Sequence, residues 1–258
     1  MKKNLHPEKW RHQSPAAPGL HKVIAAENSE CRTLRIMRLN LRPGENFTLD
    51  FGNIEINAAI IEGEAELIFN GRKSALSRLD SFYLPGKVSA QIMAKKHTVA
   101  YLGAAPYENI GKFFIRRFDL SLPIGNVHQL HGKPPYEREV FMTLDHCTPA
   151  SRLIAGFTWG RDGAWTSWPP HQHEKDLEEV YCYFDMPAPV FGLHLSYLEP
   201  GQPAIAHVVR SGVFVEAPMG YHPTVAIPGC RNVYFWVLGA HSQKSRRYDL
   251  AVADSHYT

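Results

Sequence analysis

The sequence predicts an all-β fold built from two tandem β units. Three observations carry that expectation. Short β-branched and aromatic runs are interrupted by Gly, Pro, Asn and Asp at intervals of about 8–12 residues, the rhythm of a sandwich or barrel. No long stretch holds the 3.6-residue apolar period of a helix. The strand pattern also stops near the middle of the chain and then restarts.

In the first half the expected strands are 33–40, 47–51, 54–61, 64–69, 81–84 and 90–93. The segment 124–136 holds Gly125, Gly132, Pro134 and Pro135 and reads as a linker. Beyond it come 138–144, 152–159, 178–184, 190–198, 204–210, 212–217 and 232–238. The Pro-rich, polar residues 7–20 read as an extended arm. The expected division is an arm over 1–27, a first unit over 28–122 and a second over 123–258. An internal echo supports duplication: 80–86 and 212–220 both read as a strand running into a Pro/Gly turn.

Composition narrows the function classes. The 258 residues are 44% hydrophobic and 21% charged, ordinary for a globular chain with a sizeable core. A net charge of +3, without a Lys/Arg-rich run, argues against a nucleic-acid partner. No apolar run reaches the roughly 18–20 residues of a membrane span. Met1–Pro7 begins like a signal n-region but lacks an apolar stretch behind it, so a cytoplasmic protein is expected. Cys31, Cys147, Cys182 and Cys230 form no CxxC pair and are expected to be reduced thiols.

The chemistry concentrates in the second half. In an extended strand, residues i and i+2 face the same way, so His171 and His173 in Pro-Pro-His-Gln-His aim two imidazoles at one point. After a polar turn come two carboxylates, Glu178 and Glu179. Alternation places Glu178 with Val180, Cys182 and Phe184, and Glu179 with Tyr181 and Tyr183. The first set is the more apolar, so Glu178 is expected to point inward, where a buried charge needs a partner. A metal supplies one, and Glu178 is the expected ligand. The turn Pro218-Met219-Gly220-Tyr221-His222-Pro223 then brings His222 as the fourth. Three imidazoles and one carboxylate suit a single divalent ion, zinc first, with Mn, Fe, Co or Ni also compatible.

These residues resemble the two cupin motifs. His171-x-His173-x4-Glu178 resembles the first and Gly212-x5-Pro218-x-Gly220-x-His222 the second. Asp185 stands where the first motif usually closes on Gly, and one residue rather than two separates Gly220 from His222, so the pattern is a divergent one. Three longer strings are similar to the 5-deoxyglucuronate isomerases of inositol catabolism: Trp165–His173, Met219–Pro223 and Arg138-Glu139-Val140. Residues 179–186 are closer to the related 5-keto-4-deoxyuronate isomerases of pectin breakdown. The resemblance to this bicupin superfamily is strong over 138–240 and weaker over 30–120. It implies two double-stranded β-helix (jelly-roll) units in tandem. The first unit has no His-x-His and no His after Pro85-Gly86, and is expected to be structural and metal-free.

The implied activity is metal-dependent aldose–ketose isomerisation of an open-chain deoxyuronate. Such a reaction needs a base near the metal, and Tyr221, Glu179 and Lys175 are the candidates. A substrate carboxylate suits a guanidinium, for which Arg138, Arg210 and Arg231 are available, and Trp168 is a candidate pocket wall. Among the other histidines, His194 lies on an expected strand near the site. Competing readings are a cupin dioxygenase, which uses a similar ligand set, and a non-enzymatic sugar-binding cupin. The expected partner is a small acidic sugar, with neither nucleic acid nor membrane, and the exposed β edges favour a homo-oligomer.

Overall fold

The computed structural model describes residues 5–257. The first four residues of the expected arm lie outside that range. Strands carry nearly all the regular structure, and the helical turns among the described residues are two short 3-10 segments, Pro7–Lys9 and Gln243–Ser245. The period-two alternation of short apolar runs thus builds an all-β molecule, as expected. No helix among the described residues is long and apolar enough to cross a membrane.

Each half forms a large sheet packed on a smaller one. The first large sheet runs in the order Phe114–Arg116, Ser81–Leu84, Ile54–Glu62, Thr98–Pro106, Arg35–Leu41, Gly19–Ile24. Its partner sheet runs Asn46–Leu49, Ala90–Ala94, Ala65–Phe69, Arg72–Leu76. Between them lies an apolar barrel interior that includes Met37, Leu39, Ile56, Leu67, Phe82 and Ile92. The second large sheet runs Arg11–Gln13, Val213–Ala217, Leu177–Tyr183, Val233–Ala240, Leu153–Gly160, Arg138–Leu144, His128–His131. Its partner sheet runs Trp165–Thr166, Thr224–Ala226, Gly192–Ser196, Ile205–Val209.

The central strands of the two large sheets share one order: 81–84, 54–62, 98–106, 35–41, 19–24 against 213–217, 177–183, 233–240, 153–160, 138–144. The halves are therefore duplicated, and the echo between 80–86 and 212–220 falls on equivalent strands.

Several segments differ from the sequence expectation. Residues 11–13 of the arm add a strand to the far sheet by pairing with Val213–Ala217. Residues 19–24 pair with Arg35–Leu41 and belong to the first unit's sheet. The 124–136 linker contains the edge strand His128–His131. These polar pieces lack apolar alternation, and they become strands because a sheet edge offers unpaired N–H and C=O groups. Thr98–Pro106 also went unrecognised. Its Ala and Gly content gives weak β propensity, but the small side chains let the two large sheets close on one another.

That closure is tight. A Cβ placed on Gly103 would lie 2.6 Å from Val237 Cγ1, and one on Gly239 would lie 2.5 Å from Leu34 Cγ. Tyr101 meets Phe214 edge to face with ring centroids 4.8 Å apart. Thr143 donates to Asn57 Oδ1 across the interface at 2.7 Å.

Two buried carboxylates tie the units reciprocally. Glu55 Oε2 accepts from Ser151 N at 2.7 Å, and its Oε1 accepts from Arg152 N at 2.6 Å and Leu153 N at 2.9 Å. Glu178 repeats the pattern, with Oε2 taking Arg32 N at 2.8 Å and Oε1 taking Thr33 N at 2.6 Å and Leu34 N at 2.5 Å. Each carboxylate thus satisfies three backbone donors that enter the equivalent strand of the other unit. Burial pushes both carboxyls up from the ordinary glutamate value, against the opposing pull of these donors.

Gly103→Val is expected to destabilise the protein by about 1–3 kcal/mol through overpacking against Val237. Chemical denaturation checks this, and Val237→Ala in the same chain should recover part of the loss. A double variant no more stable than the sum of the two single losses would contradict the assigned contact.

Candidate metal centre

Three histidines converge at one end of the second barrel. His171 lies on the two-residue strand His171–Gln172, which pairs with Val252–Ala253. His173 opens the turn that leads into Leu177–Tyr183, and His222 follows the left-handed Gly220 (φ +77°). One ring nitrogen from each lies within 4.8 Å of the others.

Their orientation is set by backbone carbonyls. His171 Nδ1 lies 2.9 Å from Pro169 O, His173 Nδ1 3.1 Å from Leu177 O and His222 Nδ1 3.0 Å from Gly220 O. A carbonyl can only accept, so each Nδ1 carries a proton and Nε2 is the nitrogen that each ring turns to the site. Burial, then the neighbouring imidazoles of His222 and His173, push the His171 pKa down to about 3.

The carboxylate that joins them is Glu179. Its Oε2 lies 3.1 Å from His173 Nε2 and 3.3 Å from His222 Nε2. Burial alone would raise this carboxyl, but its contacts with His173 and His222 outweigh that and hold it well below the ordinary carboxylate range. Three imidazole nitrogens and an ionised carboxylate therefore gather in one buried place. His222 Nε2 has no hydrogen-bond partner of acceptable geometry. A cation answers that arrangement, and three nitrogens with one oxygen are a donor set suited to a divalent transition metal.

This placement corrects the expectation for Glu178. Alternation sorts the two faces as read, and Glu178 is indeed buried, at 1% exposure. Its face, however, looks toward the other unit, where the backbone of residues 32–34 supplies its partners. The Glu179–Tyr181–Tyr183 face lines the barrel interior. Tyrosines on that face made it look like the outward one, yet their hydroxyls are satisfied inside. Tyr181 pairs with Ser167 at 2.8 Å, and Tyr183 lies 2.8 Å from His194 Nδ1 and 2.9 Å from Thr224 Oγ1. One signal was available, because the string 179–186 that carries part of the family resemblance begins at Glu179.

A cavity of about 290 Å³ opens beside the cluster. Of the expected substrate contacts, Arg138 and Trp168 line it and Arg231 does not. Arg231 is exposed. Of the expected bases, Glu179 lines it beside the histidine cluster, whereas Tyr221 and Lys175 are absent from its walls. Tyr221 stacks on Tyr197 with centroids 5.0 Å apart, and Lys175 is exposed in the turn after His173. Arg210, also exposed, lies outside the cavity. His131, Ser167, Tyr181, Tyr234 and Tyr248 are wall residues that sequence reasoning passed over. His194 is fully buried deeper in the barrel, and burial first, then His222 and His207, keep its pKa far below the histidine norm.

The shifts at His171, His194 and Glu179 all have the same sign. The unfolded chain binds more protons than the folded one at these groups, so their contribution is present above the unfolded values and is lost on acidification. For His171 the window runs from about 6.5 unfolded to about 3 folded. Metal-free protein should lose thermal stability as pH falls from 7 to 5, and His171→Asn should flatten that slope. A melting temperature unchanged over this range, or a variant with an undiminished slope, would refute the assignment.

Comparison with known proteins places this geometry. The KduI/IolB family model matches residues 10–256. The 5-deoxy-glucuronate isomerase of Geobacillus kaustophilus is 32% identical over 117 residues, 43% of this chain and 42% of that relative, so the match spans less than half its length. The enzyme of the same name from Bacillus velezensis is 25% identical over 244 residues, covering 87% of this chain and 88% of the relative. Among solved structures, an IolB-like protein from Salmonella typhimurium LT2 superposes with a TM-score of 0.81 at 21% identity, covering 96% of this chain and 98% of that one. Oxalate decarboxylase of Bacillus subtilis, described with Mn(II) centres, gives a TM-score of 0.59 at 13% identity, covering 94% and 77%. These structural likenesses show the fold, a pair of cupin barrels, and the family match covers nearly the whole chain: it belongs to the KduI/IolB family.

Proposed function

We propose that this protein is a metal-dependent aldose–ketose isomerase acting on an open-chain deoxyuronate, with 5-deoxy-glucuronate as the substrate. The observation that carries the reading is the convergence of His171, His173, His222 and Glu179 beside a cavity whose wall includes His171, His173, Glu179 and Arg138. The names of the relatives from Geobacillus and Bacillus support the reaction and the sugar.

The four side chains would hold one divalent ion, zinc first. When bound, it supplies Lewis-acid polarisation of the substrate's carbonyl and hydroxyl oxygens. The chain's own residues do the rest. Each ligand imidazole is pinned through Nδ1 to a carbonyl, so its Nε2 stays directed at the site. Tyr181 and Ser167 place two hydroxyls in the wall, 2.8 Å apart. Burial, then the charge of Glu179, raise the Tyr181 phenol far above its ordinary value, so it stays protonated and serves as a hydrogen-bond donor to a substrate oxygen. Arg138 supplies the cation for the distal carboxylate. Its Nη1 sits 3.4 Å from the carbonyls of Tyr136 and Trp168, long contacts that hold the side chain at the cavity wall. Trp168 and the C-terminal segment through Tyr248, Ala251 and Ala253 close the cavity walls and limit water.

The string 179–186 favours a second substrate, the 5-keto-4-deoxyuronate of pectin breakdown. Incubating metal-loaded protein with each open-chain uronate and following both by NMR decides between them. Isomerisation of 5-deoxy-glucuronate is expected. Turnover of the keto-deoxyuronate alone would transfer the assignment to the second substrate, and turnover of neither, or oxygen uptake with an iron-loaded protein, would overturn the isomerase reading.

Arg138→Met should raise KM for the uronate with a smaller change in kcat, a loss of about 2–3 kcal/mol in kcat/KM if the charge-assisted pair is made. Steady-state kinetics on the variant test this, and an unchanged KM would remove Arg138 from the substrate site.

A further inference from the structure

Glu178 stands next to Glu179 in the chain yet faces the other unit, and the geometry around it links the two. Strand Leu177–Tyr183 is paired on both sides only over Glu179 to Cys182. Glu179 to Cys182 match Ala217 to Phe214, while Leu177 and Glu178 have a strand neighbour on one side alone, Ala240 and Gly239. The end of the strand that bears the site therefore lacks half its ladder. The three donors from residues 32–34 of the first unit hold it instead. Leu34 also packs directly over Gly239, the residue opposite Glu178, where a Cβ would lie 2.5 Å from its Cγ.

Two members of the cluster depend on this strand end. Glu179 is the next residue, and its reach follows from where the backbone at 178 sits. His173 is tied to Leu177 twice, by Leu177 N to His173 O at 2.9 Å and by His173 Nδ1 to Leu177 O at 3.1 Å. We propose that Glu178 is a positioning residue for the metal centre: by anchoring the unpaired strand end to the first unit, it sets the placement of Glu179 and the ring orientation of His173. This rests on the metal-binding reading above. It also gives the first unit a part in the chemistry of the second.

The duplicated clamp supplies the control. Glu55 makes the same three backbone bonds from the first unit to residues 151–153, but the next residue in its strand is Ile56, in the apolar interior of the first barrel. Glu178→Gln and Glu55→Gln should therefore both lower the melting temperature, while only the first disturbs metal binding. Zinc affinity measured by chelator competition should fall about 10–100-fold in Glu178→Gln and change less than about threefold in Glu55→Gln. The visible spectrum of the Co(II)-substituted protein should shift in the former alone. If Glu178→Gln does not fold, Glu178→Asp gives the same comparison, since it keeps the charge and shortens the reach by one methylene. Wild-type protein that binds metal, with the two variants equal in affinity and Co(II) spectrum, overturns the positioning role and leaves the metal reading standing. Wild-type protein that takes up no metal overturns both.

Discussion

A carboxylate taken out of water needs donors or a cation, and the arrangement of this molecule follows from how Glu55, Glu178 and Glu179 meet that need. The first two are answered by backbone N–H groups from the opposite unit, three each, in the same pattern of oxygens. Those donors precede central strands, so satisfying the charges also docks one sheet on the other. The third is answered by the imidazoles of His173 and His222, with His171 beside them, and that gathering of ligand atoms is what makes the place a candidate metal centre.

Duplication explains how one scaffold supports two different interiors. The order of central strands is shared and the clamps are shared, but the residue after the clamp glutamate is Ile56 in one unit and Glu179 in the other. The first barrel is filled by aliphatic and aromatic side chains and presents a tightly packed face to the second. The second barrel replaces that filling with Tyr181, Tyr183, His194, Thr224 and Asn232, which are joined by hydrogen bonds to one another or to neighbouring hydroxyls through the two tyrosine hydroxyls, His194 Nδ1, Thr224 Oγ1 and Asn232 Nδ2. Small residues at the interface, Gly103 and Gly239, let the packed face approach closely enough to reach the strand that carries Glu179.

The strands legible in sequence were those with strong local chemistry. Residues 81–84 and 138–144 fall where alternation placed them, and 54–61 differs from Ile54–Glu62 by one residue. The segments that were not legible, Arg11–Gln13, His128–His131 and Thr98–Pro106, owe their structure to a neighbour rather than to their own composition. Within the site, the three histidines were legible because a strand repeat and a Gly-turn fix where such rings point. Arg138 and Trp168 were legible as residues of the cavity wall, since they sit in strings that carry the family resemblance. Ser167 and Tyr181 were not, because a hydroxyl gives no sign in sequence of which cavity it enters.

By itself the sequence determined the all-β class, the duplication, the three convergent imidazoles and the sorting of residues 178–184 into two faces. Local alternation and turn geometry are enough for each of these. The sequence could not say which face looks at the three histidines, because both are buried in a molecule where one sheet is covered on each side. That choice belongs to the tertiary structure. The first unit lays the backbone of residues 32–34 against Glu178 and fills its hydrogen-bonding capacity, which leaves Glu179 to turn inward toward the histidines.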